Sequence, residues 1–88
     1  MTTTPLTPTP RQHAASEAER AAAELETAAA HLRRAAHHAL SGEMPRYAAH
    51  LLATQGHLIS AEQVLDELAV AHARHSRPAH QPAQGEDA

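Results

Sequence analysis

Nine histidines in 88 residues are the side chains of this sequence best suited to chemistry, because imidazole ligates metals, carries protons and changes charge near neutral pH. On a helix, His72 and His75 stand at i and i+3 on one face, close enough to chelate together, and His13 or Glu17 would complete a nitrogen and oxygen set suited to zinc, nickel or copper. His31 and His38 are seven residues apart, as are His50 and His57. That is about 10 Å along a helix axis, so neither pair closes on one ion without a mate from another segment. A chain reversal at Glu43 to Pro45 would supply such mates. Residues whose numbers sum to about 88 then lie level, pairing His31 with His57, His38 with His50 and His13 with His75.

The histidines also have a purely structural role to fill. His37 and His38 close the first helical segment and His72 and His75 the second, where partial positive charge complements the helix dipole. We therefore assign no metal and no cofactor, and keep His13, His72 and His75 as the metal-ligating candidates. A buried subset of histidines would couple protonation to association, and full protonation would reverse the sign of a net charge of −3.

Other chemistries lack their residues. Cysteine is absent, so thiolate metal sites, disulfides and cysteine nucleophiles are excluded. No serine or threonine is paired with an activating base and no phosphate-cradling glycine loop occurs, so a non-enzymatic protein is expected. A turn at Gly56 followed by a helix from Ser60 would resemble a helix-turn-helix, yet Glu62, Asp66 and Glu67 would then meet the phosphates. Nucleic acid is an unfavoured partner.

The elements that must carry these residues are helices. Alanine makes up about a quarter of the chain, phenylalanine and tryptophan are absent, and Tyr47 is the sole aromatic ring. All cationic side chains other than histidine are arginines, and the Ala, Arg, His and Pro bias points to a high-GC bacterial source. Residues 1–10 alternate threonine with Pro5, Pro8 and Pro10 and read as a disordered arm, and residues 78–88 read as a polar tail. The arm contains no apolar core of a signal peptide, and the chain holds no run of 18 apolar residues, so neither a secretory signal nor a membrane span is supported and a cytoplasmic location is expected.

Between arm and tail the pattern predicts an all-α helical hairpin over 11–77. The first helix covers 11–41, Gly42 supplies the stop, the turn covers 42–44, and the second helix starts at Pro45 and runs to 77. In the first helix a heptad register places Ala15, Ala22, Ala29 and Ala36 at one seam position and Ala18, Leu25, Leu32 and Ala39 at the other. In the second, the apolar stripe is Tyr47, Leu51, Leu58, Ala61, Leu65 and Leu68.

Ser60 to Gln63 fits a capping box that would start a third helix after Gly56. The seven-residue spacing of Leu51, Leu58 and Leu65 argues for continuity instead, so one unbroken second helix is the preferred reading. Gly56 and Ala61 have the Gly-x4-Ala spacing of tetratricopeptide-type repeats. No second copy follows at the required period of about 34 residues, so no family is assigned.

One alanine-rich hairpin buries little, while a second apolar strip remains open. The sequence therefore points to a helical interaction or adaptor protein that forms a homodimer, as an antiparallel four-helix bundle, and meets an unidentified protein partner. Leu25, Ala29, Leu32, Ala36, Leu51, Leu58, Leu65 and Leu68 are its candidate interface residues. A histidine-rich metal-binding protein is the alternative from another class, and a small DNA-binding regulator the second.

Overall fold

A capping box at Thr9 fixes where the first helix begins. The Thr9 hydroxyl accepts the Gln12 backbone N–H at 3.1 Å, and the Gln12 side-chain oxygen accepts the Thr9 N–H at 2.9 Å. Pro10 occupies the first helical position, where its missing donor costs nothing, so the helix begins one residue before the Arg11 read from the sequence. The computed structural model describes residues 7–76, with the backbone alone at 75 and 76. It contains α1, Pro10–Leu40, and α2, Met44–Ser76, packed against each other as a hairpin. Residues 1–6 of the arm and the tail at 78–88 lie outside the described residues. Among the described residues no helix is long and apolar enough to cross a membrane.

The reversal between the helices is a Schellman turn. Gly42 adopts a left-handed φ of 77°, the Glu43 N–H reaches the His38 carbonyl at 2.8 Å, and the Gly42 N–H reaches Ala39 at 3.1 Å. Glu43 then serves the next helix, accepting the Tyr47 N–H at 3.0 Å. α2 runs without interruption through Gly56 and Ser60, because its repeat of packing positions continues across both.

The buried seam differs from the heptad register read in the sequence. The residues of α1 that disappear from solvent are Ala21, Ala28 and Ala35, each one position before Ala22, Ala29 and Ala36. On α2 the buried positions are Thr54, Ala61 and Val64. Leu25 keeps 44 % of its surface exposed and Leu32 keeps 50 %, so neither is a knob in the hairpin seam.

The physical reason for the one-residue shift lies in size. Alanine at the centre of the seam lets the two backbones come close, as the Thr54 hydroxyl at 3.5 Å from the Ala28 carbonyl shows. There is no room for leucine at that separation. The leucines are displaced to one flank, where Leu25 shares a groove with Leu58 and Leu65.

Two changes test this packing by thermal unfolding. Ala28→Leu forces bulk into the closest approach and should lower stability by about 1–3 kcal/mol, whereas exposed Ala23→Leu should be near neutral. A Cβ at Gly56 would meet nothing within 4 Å, so Gly56→Ala should raise stability by about 1 kcal/mol through helix propensity alone.

Candidate functional site

Beside the alanine seam, on the flank opposite the leucines, four histidines form a ladder. On α1 the repeat Glu17, Glu24, His31 and His38 runs at seven-residue intervals along one side of Ala21, Ala28 and Ala35. The matching side of α2 carries His50 and His57. Because the helices are antiparallel, the imidazoles interleave. His57 stacks on His31 with centroids 5.4 Å apart and planes 15° from parallel, and His50 stacks on His38 at 5.2 Å and 9°. The His31 and His50 rings approach to 5.2 Å, with their Nδ1 atoms 2.9 Å apart.

A carboxylate terminates the ladder at each end. His57 Nδ1 lies 2.6 Å from Glu24 Oε1, and His38 Nδ1 lies 2.6 Å from Glu43 Oε1. In the neutral state both contacts require the imidazole to donate from Nδ1, which fixes the tautomer of the two end rings. The central pair has a different requirement. Two imidazole nitrogens at hydrogen-bond distance share one proton, so one of His31 and His50 donates and the other accepts.

The electrostatics follow from this placement. Burial, then the neighbouring His31, His38 and Arg34, hold His50 below its ordinary pKa of 6.5. The Glu43 carboxyl sits below 4.5 because His38 donates to it, with the charges of His38, Arg46 and His37 adding to the effect and burial opposing it. Glu17 is lowered mainly by its hydrogen bond from Arg20, whose Nη2 lies 2.7 Å away.

The structure thus brings together the His31–His57 and His38–His50 pairs given by the level-number rule, and joins them into one run. Glu24 and Glu43 were not singled out by sequence reasoning for this role. The signal for Glu24 was its place in the 24, 31, 38 repeat. Of the metal-ligating candidates, His13 and His72 line one cleft with Leu68 and Ala71, where the start of α1 faces the end of α2. The side chain of His75 lies outside the described residues. Among the described residues no group of three or more histidine, cysteine, aspartate or glutamate side chains is arranged to hold a metal ion.

The candidate interface residues divide between seam and flank. Ala29, Leu51 and Leu68 are half-buried, while Leu25, Leu32, Ala36, Leu58 and Leu65 are exposed. Comparison with known protein families, with characterised proteins and with solved structures yields no match.

The Glu43 contact has a defined pH signature. A carboxyl with a lowered pKa in the folded state stabilises fully above its unfolded value of 4.5, and that contribution is lost as pH falls through the lowered value. Glu43→Gln should therefore reduce the drop in melting temperature between pH 5 and pH 3, measured by circular dichroism, while lowering the melting temperature at pH 7.

Proposed function

We propose that this protein is a non-enzymatic helical interaction module that self-associates through its leucine flank. The observation that carries this reading is the placement of four half-exposed leucines on one face. Leu25 on α1 shares a groove with Leu58 and Leu65 on α2, and Leu32 lies one heptad further along the same face of α1, with exposures between 42 % and 50 %. Leu25, Leu58 and Leu65, together with Ile59 and Ala61, line a groove along the hairpin, with Gln55 and Glu62 supplying its polar lining. A mainly apolar exposed groove rimmed by polar residues is the usual mark of an association surface.

A second copy of the same chain is the occupant that suits this face. Both helices repeat leucine at a seven-residue interval, so a two-fold axis through the face sets like rows against like rows. Beyond the leucines of α1 lie only Ala22, Ala29 and Ala36, which leave that shoulder flat enough for another hairpin to approach. The product is an antiparallel four-helix bundle whose interior holds the leucines that the alanine seam leaves outside. Its outer helical surfaces would be available to a protein partner. The histidine ladder lies on the opposite flank and stays clear of this contact.

Sedimentation equilibrium at micromolar concentration tests the reading. The wild-type chain should sediment as a dimer, and Leu32→Glu with Leu58→Glu should shift it to monomer, since a carboxylate in the bundle interior would be unpaired. A cooperatively folded wild-type monomer at that concentration overturns it.

A further inference from the structure

We propose that the His31–His50 pair is a proton-operated latch: one shared Nδ1 proton joins α1 to α2 at mid-hairpin, the bond survives the first proton added to the pair, which settles on the outer Nε2 of the donor ring, and it breaks when acidification makes both rings imidazolium, loosening the helix pair. The inference goes beyond self-association and uses the opposite flank of the molecule. Its ground is geometric. Two Nδ1 atoms 2.9 Å apart form a hydrogen bond only while one of them lacks a proton. When both carry one, two donors and two positive charges face each other, and no acceptor is left between them.

The charged groups around the pair are unevenly placed. From α1, Glu24, His31, Arg34 and His38 face this part of the seam, and from α2, His50 and His57 do. Glu43 reaches in from the turn, with Arg46 at 4.0 Å from its second oxygen. His57 and His38 each contact a carboxylate at 2.6 Å. Each end of the ladder therefore has a counter-charge in contact. Among the described residues the central pair has no carboxylate of its own, and Arg34 adds a further positive charge near His50.

The sign follows from linkage. A histidine whose folded-state pKa is depressed binds protons more weakly when folded than when unfolded. Its contribution to stability is complete above the unfolded value of 6.5 and declines as pH falls below it, toward the lower folded value. This window lies above the carboxylate window of Glu43, so the two are separable on one pH axis.

Two measurements on the full chain, in the presence of a chelator, test the latch. Ring nitrogen NMR at pH 7.5 should find one protonated Nδ1 shared between His31 and His50, as one fixed tautomer or as an average over both. Two rings protonated only at Nε2 would overturn the proposal. Thermal unfolding should show the wild-type midpoint falling by about 5 °C or more between pH 7.5 and pH 5.5. The double variant His31→Gln, His50→Gln, and His50→Gln alone, should lose most of that fall, whereas His13→Gln should retain it. Sedimentation at both pH values separates the latch from self-association. A fall of equal size in the double variant, or one that tracks dissociation of the dimer in every variant, overturns the latch.

Discussion

The closeness of two backbones governs everything else in this hairpin. Ala21, Ala28 and Ala35 present a single methyl each to α2, and they are among the least exposed residues of the chain. Opposite these alanines the buried positions of α2 take nothing larger than Val64, and Leu25, Leu32, Leu58 and Leu65 lie half-exposed to one side. The sequence sorts the flanking side chains by chemistry, with leucine on one flank and glutamate and histidine on the other. Both flanks are thus products of the alanine line between them. Thr54 belongs to the same line. Its hydroxyl donates at 2.8 Å to the His50 carbonyl within α2 and approaches the Ala28 carbonyl of α1 at 3.5 Å, so the buried polar group is satisfied mainly by its own helix.

Much of this architecture was legible in the sequence, and the part that was not has a definite cause. Two long helices, a glycine stop at Gly42 and continuity through Gly56 follow from punctuation and periodicity, which are local properties. The register of the seam is not local. The alanines of α1 occur in runs, such as Ala21-Ala22-Ala23 and Ala28-Ala29-Ala30, so three heptad phases are almost equally apolar. Choosing the phase that contained Leu25 and Leu32 maximised hydrophobicity along one line. The fold instead places the smallest residues where the helices are nearest, and steric fit outweighs hydrophobic content at that distance.

The histidine pairs were readable for the opposite reason. Their level across the hairpin depends only on where the chain reverses, and Gly42 with Glu43 fixes that reversal through three backbone hydrogen bonds around the turn. What counting could not supply was their merging into one ladder. Pairing by number treats His31–His57 and His38–His50 as separate rungs, whereas the close seam lets each ring meet a neighbour above and below, so that His31 also touches His50. Glu43 was equally hard to foresee. It lies five residues from His38, a spacing that does not meet on a continuous helix, and it reaches that ring only because the left-handed Gly42 folds the chain back.

Small cores make such polar contacts consequential. A hairpin whose fully buried apolar residues are four alanines and Val64 gains little from transfer out of water compared with a leucine-filled bundle. Its net stability is then a small difference, of the same order as one hydrogen-bonded pair or a few half-buried leucines. Under that condition a proton at mid-seam and a second hairpin on the leucine flank act on the same equilibrium. The first weakens the contact between α1 and α2 from within, and the second holds the two helices together from outside. The two proposed devices are coupled through the shared helices even though they occupy opposite flanks, because closing the seam is what sets Leu25 beside Leu58 and Leu65 in the first place.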